Sequence, residues 1–312
     1  MSFPNRPPLD LEAIRHAAAL IREGKLVAFP TETVYGLGAS ALDARAVQKI
    51  FEVKGRPATS PLIVHVESRE AAPRFVSEWP VAAETLASAL WPGPLTLVLR
   101  KRTCIPDIVT AGLPTVGLRM PANAYALALL IEAGVPIAAP SANRFTGLSP
   151  TTAEHVRKSL GGSVDLILDG GPTQVGIEST VLSLAGDIPR LLRPGMISVE
   201  QIESFIGKVE TVAAAPEGSH PAPGMHPRHY SPRTRLLLAL PSKGRGAYLW
   251  LTRPAESARD IHMPADPARY AAVLYETLHR LDEEGFDWIA VEPPPDDPAW
   301  AGIRDRLTRA AS

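Results

Sequence analysis

Residues 213–235, AAAPEGSHPAPGMHPRHYSPRTR, carry neither a helical nor a strand period, and they divide a chain in which the two periods otherwise alternate. Their density of Pro, Gly, Ser and His marks an extended linker. A mixed α/β architecture follows: a twisted mixed sheet with helices on the N-terminal side, and a smaller α/β domain beyond the linker. The expected divisions are 1–207 for the first domain, 208–235 for the linker and 236–312 for the second domain.

Local signals support that division. Leu11, Ile14, Ala18 and Ile21 form an apolar stripe behind Asp10 as N-cap, with Gly24 as the stop. A second helix runs from Asp43 through Val47, Ile50 and Phe51 to Lys54-Gly55. The strands expected are LVAF, PLIVHV (61–66), LTLVLR (95–100), TVGLRM (115–120), VPIAA (135–139), VDLILD (164–169) and ESTVLSL (178–184), with helices near 81–90, 123–133 and 151–160. Ser198 with Gln201 opens a last helix that stops at Gly207. After the linker, LLLAL, AYLWL and WIAVE read as strands, and 267–284 and 300–310 as helices.

Composition excludes several function classes. Lys+Arg 32 against Asp+Glu 33 gives no chain-wide field for nucleic acid or an anionic membrane. Cys104 is the single cysteine, which rules out an internal disulfide or a cysteine-based zinc cluster and fits a reducing compartment. The N-terminus has no uninterrupted apolar core of a secretory signal, and the longest apolar run, near Ala126 to Ile131, falls short of the roughly 18 residues of a membrane span. A soluble protein of the cytosol is expected.

Two motifs fail on context. Gly36-Leu-Gly38-Ala-Ser-Ala41 matches the dinucleotide fingerprint as a string, but Pro30 to Tyr35 separate it from the preceding strand and no ribose-binding acid follows. His220, His226 and His229 lack a cysteine or acidic partner that would complete a tetrahedral zinc set. No P-loop and no nucleophile elbow is present.

Other patterns admit chemistry beside plainer readings. Lys54-Gly55-Arg56-Pro57 places two cations around a glycine at a helix exit, suited to polyphosphate or simply to the helix dipole. In TVGLRM the period of two puts Thr115, Gly117 and Arg119 on one face, which suits a carboxylate or phosphate, or a solvated edge. By the same alternation His65 shares a face with Ile63. Pro140-Ser141-Ala142-Asn143 leaves the end of a strand, where ligands collect in α/β sheets. Ser149 or Thr151 is a helix cap or presents amides to phosphate.

The order and spacing of PTETVYGLG, KGRP with SPLIVH, TVGLRMP, APSANRFTGLSPT, GIESTV and LLRPG resemble the threonylcarbamoyl-AMP synthase family, whose catalytic unit is the YrdC-like domain. PGMHPRHYSP and the tail DRLTRAA resemble its longer form, which adds a small C-terminal domain. The resemblance implies that Thr33, His65, Arg119, Ala139 and Ser179 contact L-threonine, with Arg119 on its carboxylate and Ala139 keeping the pocket small. It implies that Arg56, Ser60, Thr115, Ser141, Asn143, Ser149, Arg193 and Tyr230 contact ATP, with Lys54 and Arg56 serving the chemistry. Tyr230 would make the linker part of the site, as a lid that excludes water.

The implied reaction forms a carbamate from threonine and bicarbonate or CO2, then joins it to AMP from ATP with release of pyrophosphate. Mg2+ would accompany ATP on its phosphate oxygens, with no metal held by protein ligands. The product would pass to a tRNA threonylcarbamoyl-transferase complex; net charge lends direct tRNA binding no support. Two alternatives remain. A carbamoyl-transfer protein of hydrogenase maturation would share the domain but carries added Cys-rich modules, and a double-stranded RNA-binding module would show salt-dependent affinity without turnover.

Overall fold

The computed structural model describes residues 8–211, 229–241, 243–255 and 257–312. Ten strands form one mixed sheet: β1 (Val27–Pro30), β2 (Tyr35–Ser40), β3 (Ile63–His65), β4 (Leu95–Arg100), β5 (Thr115–Arg119), β6 (Ile137–Ala138), β7 (Leu166–Ile167), β8 (Thr180–Ser183), β9 (Arg190–Arg193) and β10 (Glu210–Thr211). Their spatial order is β10-β9-β8-β4-β5-β3-β6-β2-β1-β7. The helices of this part are α1 (Leu11–Arg22), α2 (Ala44–Lys54), α3 (Val81–Leu90), α4 (Asp107–Thr110), α5 (Ala124–Ala133), α6 (Ala153–Leu160) and α7 (Val199–Ile206). A second, all-parallel sheet contains β11 (Arg235–Leu237), β12 (Gly246–Trp250), β13 (Arg259–His262) and β14 (Trp288–Val291), in the order β11-β14-β12-β13, with α8 (Pro267–Asp282) and α9 (Ala301–Ala310).

Helix ends follow their capping residues. Asp10 and Asp43 accept from the first-turn amides of α1 and α2, Asn123 caps α5, and Ser198 accepts from Gln201 N to open α7. For α6 the cap is Thr152, neither Ser149 nor Thr151. Gly55 closes α2 at φ +63, where a side chain would be strained.

One strand departs from the pattern read in the sequence. YGLGAS forms β2, paired antiparallel with β1, so Gly36 and Gly38 lie inside a strand. Glycine is required there by packing: a side-chain carbon on Gly38 would come within 2.7 Å of Phe29 and 2.8 Å of Ile137. The short strands β9, β10 and β13 also carry no clear period. Among the described residues, no helix is long and apolar enough to cross a membrane.

The hydrophobic core has separate bodies. One lies under the sheet with α2, α3 and α6, and another packs α1 and α5 on the opposite face around Phe29 and Ile137. The core of α8 and α9 is not closed on itself. Val34, Leu148, Ile177 and Tyr230 enter it from outside the second sheet, so the two sheets share apolar contacts beside the motifs singled out above.

Candidate active site

A turn between β1 and β2 supplies the first polar groups. Thr31 donates to Val34 O at 2.7 Å and accepts from the Thr33 and Val34 amides, which leaves the Thr33 hydroxyl 2.8 Å from it and available to a third group. That group is Arg119, whose Nη2 donates to Thr33 Oγ1 at 3.0 Å while its Nε donates to Gly93 O at 3.2 Å. Arg119 is buried, so the solvated-edge reading does not hold. Its charge is met by Glu32, with Nη2 2.8 Å from Oε1.

Parallel pairing of β3 and β5 sets His65 beside Arg119 in register and Ile63 beside Gly117. The alternation along β3 turns Ile63 and His65 to the same cavity. Burial first, then the Arg119 charge, pushes the His65 imidazole down to about 3, while a bond to the Ile137 backbone acts in the opposite sense. His65 is therefore neutral at ordinary pH, and its Nδ1 has no hydrogen-bond partner.

Ser179 stands at the entry to β8, where Thr96 of β4 lies 2.8 Å from its hydroxyl. Arg193, at the end of β9, donates from Nε and Nη2 to Ser179 O at 3.1 and 2.9 Å and from Nη2 to Ser179 Oγ at 3.2 Å. Arg56 leaves α2 and folds back on its own loop, donating to Pro61 O at 3.1 Å. Burial and Arg193 push its guanidinium down to about 10, still charged at neutral pH.

These side chains meet in one cavity of about 50 Å³, room for a few waters. Thr33, His65, Arg119, Ala139 and Ser179 all line it, together with Arg56, Ser141, Arg193 and Tyr230. Lys54, Ser60, Thr115, Asn143 and Ser149 do not. Lys54 donates to Ser141 O and Asn143 O at 2.6 and 2.5 Å, so its amine holds the PSAN loop. Ser60 touches Arg56 through its carbonyl, and Thr115 lies at the far end of β5 from Arg119. The Asn143 amide group ties its own loop to Arg144 O and Gly147 O. Ser149 sits behind Glu178, to which its hydroxyl donates at 2.5 Å.

Where the linker is described, it lies against the cavity. His229 and Tyr230 are buried, line the cavity and stack edge to face at 4.0 Å. The rest of that segment through 228, with His220 and His226, lies outside the described residues. His229 Nδ1 and the Tyr230 hydroxyl have no hydrogen-bond partner, as is also true of His65 Nδ1. Three unpartnered polar atoms on one cavity, beside three buried guanidinium groups, fit a polar anionic ligand.

The sequence patterns do not mark Glu178 or Glu32. Each stands next to a residue that was chosen, in GIEST and PTETVYG, but a single chain gives no sign that a carboxylate is paired across the fold. Among the described residues, no three His, Cys, Asp or Glu side chains gather as a metal cage.

The family model described as Telomere recombination matches residues 19–195, and that described as Threonylcarbamoyl-AMP synthase, C-terminal domain, matches residues 197–312. The chain is 44% identical to the threonylcarbamoyl-AMP synthase of Bacillus subtilis (strain 168), over 96% of this chain and 92% of that one. It is 42% identical to the protein of that name from Pyrococcus abyssi (strain GE5 / Orsay), over 96% and 94%. The crystal structure of P. abyssi Sua5 complexed with L-threonine superposes with a TM-score of 0.92 at 40% identity, covering 98% of this chain and 96% of that one.

Proposed function

Since the chain belongs to the threonylcarbamoyl-AMP synthase family, in its long form, we propose that it makes L-threonylcarbamoyladenylate and pyrophosphate from L-threonine, bicarbonate or CO2, and ATP. It is then a nucleotidyltransferase of the cytoplasm. A separate transferase complex would use its product for the N6-threonylcarbamoyladenosine modification of tRNAs reading codons that begin with A.

One observation carries this reading: a single small cavity is lined by Arg56, Arg119 and Arg193 together with hydroxyls and unpartnered polar atoms. Arg119 takes the threonine carboxylate. Its planar fork is already oriented by Gly93 O and the Thr33 hydroxyl, so little rotamer freedom is lost on binding. His65, being neutral, offers Nδ1 to the threonine hydroxyl or ammonium without repelling it. Ala139 packs beside Gly36, 3.2 Å from where a side-chain carbon there would stand, and limits the space to a side chain of threonine's size.

In the first step the threonine ammonium gives two protons to solvent as its nitrogen bonds to the carbon of CO2, leaving a carbamate that keeps one N–H; from bicarbonate, one proton and one water leave instead. A carbamate oxygen then bonds to the α-phosphorus while the bond to the bridging oxygen breaks, and pyrophosphate departs with that electron pair. The protein's part is to orient the carbamate and to neutralise growing charge through Arg56 and Arg193. Lys54 supports this from behind, fixing the Ser141–Asn143 loop on which ATP would rest. ATP is far larger than the present cavity, so its entry requires His229 and Tyr230 to move aside and then cover it, excluding water.

Magnesium enters with ATP on its phosphate oxygens, as part of that substrate. Glu178, the carboxylate among the lining residues, is bound to Arg306 and so is not free to hold the ion. The deciding experiment follows pyrophosphate release from ATP while threonine and bicarbonate are omitted in turn. Release only when both are present is expected; release without threonine would sink the proposal.

A further inference from the structure

Arg306 of α9 is buried to 1% exposure, yet it belongs to the second sheet's helices and reaches the cavity wall of the first. Its Nε donates to Glu178 Oε2 at 2.6 Å, its Nη2 to Glu178 O at 3.1 Å and its Nη1 to Pro194 O at 3.0 Å. Its guanidinium lies 5.1 Å from the centre of the Tyr230 ring. Tyr275 of α8 donates to the same Oε2 at 3.2 Å, and Ser149 donates to Oε1 at 2.5 Å. Three donors thus meet the Glu178 carboxylate: Arg306 Nε and the Tyr275 hydroxyl on Oε2, and the Ser149 hydroxyl on Oε1.

The seat for these helices is built into the motifs. Gly302, one turn before Arg306 on the same face of α9, rests on Gly195 of LLRPG: a side-chain carbon there would stand 2.8 Å from the Gly195 carbonyl oxygen. Gly176 of GIEST, at φ +79, receives α8 in the same way, with Ala271 O 2.2 Å from where such a carbon would stand. Both glycines permit backbone-close docking of a C-terminal helix directly beside a cavity residue.

We propose that Arg306 is a positioning residue for ATP: from the C-terminal domain it neutralises and orients Glu178, so that a carboxylate on the cavity wall does not repel the phosphates. This rests on the reading of the cavity as an ATP and threonine site. Without Arg306, Glu178 would lose the cation bonded to it, keeping only the Ser149 and Tyr275 hydroxyls and the charge of Arg193, and would present more negative charge to a polyanion, whereas zwitterionic threonine, held by Arg119, would be nearly indifferent to it.

The test measures ATP and threonine dissociation constants separately by calorimetry on the full chain. Arg306→Gln is expected to weaken ATP at least tenfold and threonine less than twofold. Arg306→Lys, which keeps a charge and loses the fork, is expected to weaken ATP less than the glutamine variant. Because a lone buried carboxylate can unfold the protein, the neutral pair Glu178→Gln with Arg306→Gln is the decisive variant: ATP affinity within threefold of wild type is expected. Equal weakening of both ligands, no effect of Arg306→Gln in folded protein, or a double variant tenfold weak for ATP would overturn the proposal. Wild-type protein that binds no ATP overturns this and the functional reading together. If it binds ATP yet releases no pyrophosphate with threonine and bicarbonate, only the reaction falls, and the ATP-to-threonine split still decides Arg306.

Discussion

The residues lining the cavity fall into two sets that are built differently. Thr33, His65, Arg119, Ala139 and Ser179 stand on strands of one sheet or on the turns next to them, and neighbouring strands fix their register. Arg56, Glu178 and Tyr230 depend instead on loop carbonyls, on the described end of the linker and on helices that belong to the second sheet, while Arg193, at the end of β9, joins the two sets through Ser179 O. The difference teaches that the proposed threonine pocket is preformed by sheet pairing, while the proposed nucleotide pocket is assembled from distant parts. The first set should respond to substitutions locally, and the second should respond to changes made far along the chain.

The strongest test of that contrast is Arg56→Ala, expected to lower pyrophosphate release by on the order of 10²- to 10³-fold with circular dichroism unchanged, since a donor for developing charge is lost. Full activity in that variant would remove Arg56 from the phosphates. Arg119→Lys comes next. A point charge cannot reproduce a fork held by Gly93 O and Thr33, so threonine affinity should fall by about 10- to 100-fold, with ATP affinity unchanged. Calorimetry showing equal loss for both ligands would erase the distinction between the sets.

A pH series sharpens the comparison through two histidines. His65 lies in the first set, whereas His155 of α6 stacks on His279 of α8 at 3.8 Å, between the two sheets. Burial, followed by Arg119 for one and by His279 and Lys158 for the other, holds each down to about 3. Each is neutral when folded and takes a proton when unfolded near 6.5. Their stabilising contribution is therefore complete above about 6.5 and is lost as pH falls from there toward about 3, by about 1.4 kcal/mol per pH unit for each. Urea midpoints between pH 7.5 and 5 should drop accordingly, and His155→Gln should flatten the slope; an unchanged slope would take His155 out of the account.

The smallest effect is expected at Ser60. Its carbonyl, not its hydroxyl, touches Arg56, so Ser60→Ala should change ATP affinity less than threefold. A tenfold loss would bring its hydroxyl onto the nucleotide and enlarge the second set.

Much of this is legible in the sequence. The motif order marked both sets, and the alternation along PLIVHV and TVGLRM put Ile63 with His65 and Thr115 with Arg119 on shared faces. It did not show that Arg119 would be buried against Glu32, or that Lys54 would hold carbonyls of the PSAN loop. Nor does it show Glu178, whose partner Arg306 lies 128 positions further along the chain. Helix-forming and strand-forming residues announce themselves through spacing; a pairing partner does not.

By itself, the sequence determined the helices and most strands, because Asp10, Asp43, Asn123 and Ser198 act on amides two or three residues away, and period reflects one buried face. Only the tertiary structure decided that YGLGAS is a strand, since its glycines answer to Phe29 and to Ile137, about a hundred positions further on. It alone decided that Glu178 meets Arg306 across 128 positions of chain. Such contacts depend on how two sheets dock, and docking is set by complementary surfaces that no local pattern encodes.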